Sequence, residues 1–181
     1  MLAEDLPLTA TATPEERLEQ LFAAHHRRLH RLALRLLGDV EEARDLVQET
    51  FVRAARAIGR VPGVEPGAEA WLVRVAVNLC RDRRRRQAVR RLHAAPLPPE
   101  VAASDEEAPR IARWTVRAAL RSLPPRRRAI VILHELEGRT TSEIASLLGT
   151  RPVTVRWHLA IARRELARRL LAGTTQPETT P

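Results

Sequence analysis

The residues best placed to do chemistry lie between Thr140 and Leu170, in TTSEIASLLGTRPVTVRWHLAIARRELARRL. The chemistry is non-covalent: a short helix, a tight turn and a longer Arg-rich helix, the pattern of a helix–turn–helix that grips duplex DNA. Thr141 or Ser142 can cap the first helix, Glu143 to Leu148, whose apolar face is Ile144, Leu147 and Leu148. Gly149 stands where the turn favours a left-handed backbone. Thr150 can cap the second helix, and Pro152 is tolerated in its first turn. Val155, Leu159, Ala162 and Leu166 recur at helical spacing as a buried stripe. Arg156, Trp157, Ala160, Arg163 and Arg164 fall on the other faces, toward a groove and its phosphates. An amphipathic hairpin with a solvated Arg face is the competing reading; the order of cap, turn glycine and second cap favours DNA.

Other reactive side chains are poorly placed. His26 and His30 are four apart on a helix beside His25, but no carboxylate or Cys stands at ligand spacing, so no metal is expected. Cys80, next to Arg81, reads as a small, partly buried residue rather than a redox-sensing thiol. There is no Walker loop, no G-x-G-x-x-G, no nucleophile elbow and no H-E-x-x-H. No catalytic residue and no cofactor is expected, and the chain does not read as an enzyme.

These residues need helices to position them. The chain has 181 residues, 31 basic ones (all Arg) against 22 acidic, a net charge of +9 and only two Phe. Ala, Leu and Arg dominate and Gly is scarce, so mostly helix is expected, with cores of Leu, Val, Ile and Ala. The excess of positive charge suits a polyanion partner. A single Cys excludes an intrachain disulfide, and no apolar run approaches the ~20 residues that span a bilayer. A cytoplasmic protein without membrane insertion is the expectation.

The periodicity predicts an all-α fold of two small helical domains joined by a flexible acidic linker, the C-terminal one a helix–turn–helix. Residues 1–14 read as a disordered arm. Thr13 and Pro14 open a first helix, from about Glu15 to Leu37, with Leu18, Leu21, Phe22, Leu29, Leu32, Leu36 and Leu37 as its apolar face. Asp39 starts a second, through Ile58, with Ala43, Leu46, Val47, Phe51, Ala54 and Ala55 inward. The Gly/Pro-rich stretch 59–67 is a loop. A third helix runs from Glu69 to about Leu92, burying Trp71, Leu72, Val75, Ala76 and Leu79. The first domain is thus 15–92. Residues 93–109 form the linker, with Glu100, Asp105, Glu106 and Glu107. Residues 110–172 form the second domain and 173–181 a disordered tail.

Charge is blocked along the chain. Residues 74–91 hold eight Arg against Asp82 alone, residues 110–128 hold seven Arg and no acid, and the linker between them carries −4. Solvated helix faces would account for some of this; two basic blocks, one beside a helix–turn–helix, favour nucleic acid.

The C-terminal half resembles both the DNA-reading domain of sigma factors and the output domain of LuxR-type response regulators. The N-terminal half separates them, because nothing in it reads as a receiver domain. Gly38-Asp39, Glu41-Glu42-Ala43 and Asp45-Leu46-Val47-Gln48-Glu49-Thr50-Phe51 resemble the polymerase-binding helix of bacterial extracytoplasmic-function sigma factors. Ala70-Trp71-Leu72, Val75-Ala76, Asn78, Asp82 and Arg85-Arg86 are similar to their promoter-melting helix. The resemblance covers about residues 15–92 and 110–171.

The resemblance implies a factor that binds core RNA polymerase, directs it to promoters and promotes DNA opening. Asp45, Leu46, Val47, Gln48 and Glu49 would meet the coiled coil of the largest subunit, although the residues alone fit a solvated amphipathic helix equally well. Arg74, Asn78, Arg81, Asp82 and Arg85 would engage the minus-ten element, with the loop Val61 to Glu69 as the pocket for a flipped base. Trp71 could stack on a base but reads as core. Arg151, Thr154, Arg156, Trp157, His158, Arg163 and Arg164 would read or hold the minus-thirty-five element, and that domain would also touch the flap of the second-largest subunit. The acidic linker would occupy the RNA exit path, and an anti-sigma factor is a further implied partner. Against the family pattern, Arg44, Ala55, the vicinity of Pro62, His158 and Ile161 depart, which bears on promoter sequence rather than on fold.

Overall fold

The computed structural model describes residues 12–63, 65–93 and 116–174. Residues 1–11 of the expected arm, 94–109 of the linker and 175–181 of the tail lie outside these residues, as does the start of the second domain at Arg110. Where the expected segments are described they are partly helical: Pro14 opens the first helix, His93 ends the third, and the last helix runs through residues 173 and 174, expected as tail. Among the described residues the fold is all-α.

Helix α1 (Pro14–Leu37) begins where Thr13 forms a reciprocal capping box with Glu16 and ends at Gly38. Helix α2 (Val40–Arg56) is capped by the Asp39 side chain, which accepts from the Glu42 N–H. It stops before a short 3-10 turn, Ile58–Arg60, so the helix expected through Ile58 is two residues shorter. Helix α3 (Gly67–His93) follows the cis Glu65–Pro66 bond. A side chain at Gly67 would place Cβ 2.7 Å from Pro62 Cβ, so glycine lets the loop fold tightly onto the helix start.

Helix α4 spans 116–122, and Leu123-Pro124 turns the chain into α5 (Pro125–Val131), which runs on as a π-helical turn, Ile132–Leu136. Helices α6 (Thr141–Leu148) and α7 (Pro152–Thr174) form the helix–turn–helix. The caps differ from those expected. Thr140, not Thr141 or Ser142, caps α6, in a capping box with Glu143. The Val155 N–H donates to the Arg151 carbonyl, so Arg151, not Thr150, holds the cap position of α7. Thr150 instead gives its N–H to Ala145 and Gly149 its N–H to Ser146. That pair of bonds is a Schellman closure, with Gly149 left-handed at φ 59°.

The two helical units share one continuous core. Helix α3 touches α1, α2, α5 and α6, and its buried residues Leu72, Val73, Ala76, Val77, Leu79 and Cys80 form one broad face, opposite exposed Asn78, Arg81 and Arg85. Several expected core positions fall short of full burial: Leu18, Leu37, Val75 and Leu166 are only partly buried. Phe22 and Ala55 are exposed, because both face the open side of the α1–α2 pair. Trp71 is half-buried against the core.

Arginine closes the contact between the units. Arg128 of α5, nearly buried, donates to the carbonyls of Leu36 at the end of α1, Arg121 and Leu123. In return Arg84 of α3 donates to Leu123 at 2.5 Å and Ser122 at 3.2 Å, at the end of α4. Each guanidinium satisfies carbonyls that a helix end leaves without partners. Beside them, Glu69 meets Arg28 and Arg139, and Glu137 meets Arg28 at 3.0 Å and Arg35 at 3.2 Å. Burial lowers the Arg28 pKa, Glu137 opposing the shift.

Candidate nucleic-acid and partner interfaces

Three surfaces carry the residues singled out from the sequence. The first is on α2. Asp45 and Gln48 are exposed, and Glu49 is half-buried in an ion pair with Arg53 at 3.1 Å. Leu46 is fully buried, so its place is in the core and not against a partner. It follows from helical spacing: with Ala43 and Thr50 it forms the inward stripe. Val47 is 3% exposed but lines a groove of about 820 Å³ between α1 and α2. Phe22, His26, Gln48, Phe51 and Val52 also line that groove. Phe22, His26 and Phe51 are packed ring to ring, with centroids 4.4 Å and 4.9 Å from Phe22. The sequence reading missed Phe22 as a surface residue, because its position also fits the apolar face of α1.

The second surface is on α3. Asn78, Arg81 and Arg85 are exposed and Asp82 is half-buried, 3.6 Å from Arg81. Arg74 shares their side of the helix but lies under the helix–turn–helix: a Cβ built on Gly149 would stand 3.3 Å from its Nη1. Three of the five residues are therefore exposed, while Asp82 and Arg74 are half-buried, Arg74 beside the second unit. The preceding loop is tied to α1. Arg17 donates to the Val61 carbonyl at 3.0 Å, and His25 Nε2 lies 2.7 Å from Glu65. Val64 lies outside the described residues. Of the basic run 83–86, Arg83 and Arg84 are spent on backbone carbonyls while Arg85 and Arg86 face outward.

The third surface is on α7. Val155, Leu159 and Ala162 are buried and Leu166 partly so, which sets the helix rotation. Arg151, Arg156, Trp157, Ala160, Arg163 and Arg164 are then exposed, with Trp157 at 57%. Thr154 and His158 are half-buried. His158 thus departs from the exposed position expected of it. Its Nδ1 is buried without a hydrogen-bond partner among the described residues. Burial, then Arg127 and Arg126, lower its pKa. Arg163 is held twice by Glu135, at 3.1 Å from Nε and 2.8 Å from Nη2, and these hydrogen bonds lower the Glu135 pKa. No group of three or more His, Cys, Asp or Glu among the described residues could hold a metal. Burial raises the Cys80 pKa to about 11, which leaves little thiolate. No described helix is long and apolar enough to cross a membrane.

Comparison with known proteins places the chain in a family. Residues 21–90 match the family model of sigma-70 region 2 and residues 113–166 that of sigma-70 region 4. The chain is 38% identical to the ECF RNA polymerase sigma factor SigE of Mycolicibacterium smegmatis, over 82% of this chain and 59% of that protein. It is 36% identical to SigM of Mycobacterium tuberculosis, over 84% of this chain and 76% of that protein. In fold it is similar to the sigma factor RpoE of Bartonella quintana, solved with the anti-sigma factor NepR. There the TM-score is 0.60 at 20% identity, covering 88% of this chain and 98% of that one. Helix order, the helix–turn–helix and both matched regions lead to one conclusion: the chain belongs to the extracytoplasmic-function sigma factors, which direct RNA polymerase to promoters in transcription initiation.

Proposed function

We propose that this chain binds core RNA polymerase through the outer face of α2, brings it to a two-part promoter and helps melt the DNA, making no covalent bond itself. Asp45, Gln48 and Glu49 supply the polar contacts to the largest-subunit coiled coil, and Val47 with the α1–α2 groove supplies the apolar one. Asn78, Arg81, Asp82 and Arg85 engage the minus-ten element, and Arg151, Arg156 and Trp157 the minus-thirty-five element, with Arg163 and Arg164 on phosphates. The second unit also meets the second-largest-subunit flap. The protein works in the cytoplasm, where polymerase and chromosome are.

The contact between α3 and the helix–turn–helix gives this reading a conformational step. Two elements about 25 base pairs apart are separated by roughly 85 Å at ~3.4 Å per base pair. A compact chain of this length is only about 40 Å across. The closed arrangement, with Arg74 half-buried beside Gly149, cannot engage both. Residues 15–92 and 110–172 therefore act as separable domains, with 93–109 as the connection, and polymerase or DNA must favour the open form by differential binding. An anti-sigma factor of the kind seen with RpoE is the expected opposing partner, holding the chain closed.

The observation that carries the proposal is the pairing of an exposed α2 face with two basic DNA surfaces on one chain. In vitro transcription with core polymerase tests it: promoter-specific transcripts appear only when the chain is added. Duplex binding without any stimulation of core polymerase would instead make the protein a stand-alone regulator.

A further inference from the structure

The outward stripe of α7 is unlike its flanks. Val153, Arg156, Trp157 and Ala160 stand at i, i+3, i+4 and i+7 and all are exposed, Val153 at 58% and Trp157 at 57%. Three of the four are apolar. The Trp157 ring has one ring neighbour among the described residues, the edge-on His158 imidazole at 4.8 Å. Around this stripe the helix is basic: Arg151, Arg163 and Arg164 flank it, and the first carboxylate of α7 is Glu165. Exposed apolar side chains inside a cationic frame need a partner whose outside is anionic and whose inside offers apolar groups.

The DNA major groove is such a partner. Its only apolar feature on a base edge is the C5 methyl of thymine; guanine offers two acceptors to Arg. From the placement of these four residues we infer that Val153, Trp157 and Ala160 select thymine methyl groups in the upstream promoter element, with Arg156 between them on a guanine. This rests on the promoter reading above and deepens it, by assigning the specificity to methyl contact rather than to a row of hydrogen-bonding side chains. The stripe also makes Val153, absent from the sequence-based set of site residues, a specificity-determining residue.

The test uses holoenzyme assembled from the full chain and core polymerase. Duplexes are selected from a library randomised in the upstream element, and each thymine in the selected site is then replaced by uracil, which removes only the C5 methyl. The expected result is a selected element containing thymine beside guanine, with at least one uracil replacement weakening binding by about fourfold, the worth of one buried methyl. Trp157→Ala should bind the thymine duplex more weakly and lose the thymine–uracil difference at one position; Trp157→Phe should keep part of it. Arg156→Ala should weaken binding and keep that difference. Selected elements without thymine, equal affinity for thymine and uracil duplexes, or full discrimination by Trp157→Ala would overturn the inference while leaving promoter binding intact. A holoenzyme that enriches no duplex and makes no transcript would remove the promoter reading and the inference together.

Discussion

The guanidinium of Arg128 donates to the backbone carbonyl of Leu36, which lies 92 residues earlier and in the other helical unit. Among the described residues it has no carboxylate partner. Burial, with Arg84 and Arg121 adding to it, lowers its pKa to about 10, still charged at neutral pH. Arg128 thus works as a hydrogen-bonding fork for helix ends, not as half of an ion pair.

Removing that fork should loosen the closed form. Arg128→Met keeps the volume but strands the carbonyls of Leu36, Arg121 and Leu123. The expected cost is about 2–4 kcal/mol, a fall in Tm of roughly 5–12 °C by thermal melting. An unchanged Tm would mean that water replaces the arginine without loss.

Arg163 should be a restrained DNA contact. Glu135 holds it through two hydrogen bonds, so phosphate must displace a carboxylate. Glu135→Ala should tighten duplex binding by holoenzyme about twofold to threefold at low salt. It should also steepen the slope of log K against log salt by about one. A slope identical to wild type would place Arg163 away from the backbone.

His158 gives the fold a pH dependence. Its pKa is lowered by burial and by Arg127 and Arg126, so the unfolded chain takes up the proton first. The stability it contributes is complete above the ordinary value of about 6.5 and is lost as pH falls through the lower folded value. Melting curves from pH 7.5 to 5 should show Tm falling on acidification. The fall should be shallower in His158→Gln. Parallel curves would assign the acid sensitivity to other groups.

How much of this was legible in the sequence differs by element. The Thr13 and Asp39 caps, the turn at Gly149 and the stripe Val155, Leu159 and Ala162 are local signals, set by one residue type at one spacing, and the structure keeps them. The cap of α7 was misplaced because threonine caps well and arginine does not; Pro152 at the first helical position overrides that preference. The inner face of α3 was read too narrowly. Val73, Val77 and Cys80 are buried as well, because α5 and α6 pack on α3 in addition to α1 and α2. The arginines were the hardest to assign. Arg84 and Arg128 lie in the two basic blocks yet bind backbone carbonyls, and a guanidinium that caps a helix looks, in sequence, like one that binds phosphate.

The most direct test is the distance between the two units before and after polymerase binds. Cysteines introduced at Arg86 on α3 and Ser146 on α6, both exposed, can carry spin labels, while Cys80 stays buried and largely protonated. In the free chain the labels should sit within about 40 Å, the breadth of a compact chain. In holoenzyme on promoter DNA they should move beyond about 60 Å, toward the ~85 Å between the two elements. An unchanged short distance in a complex that makes promoter-specific transcripts would contradict the opening step.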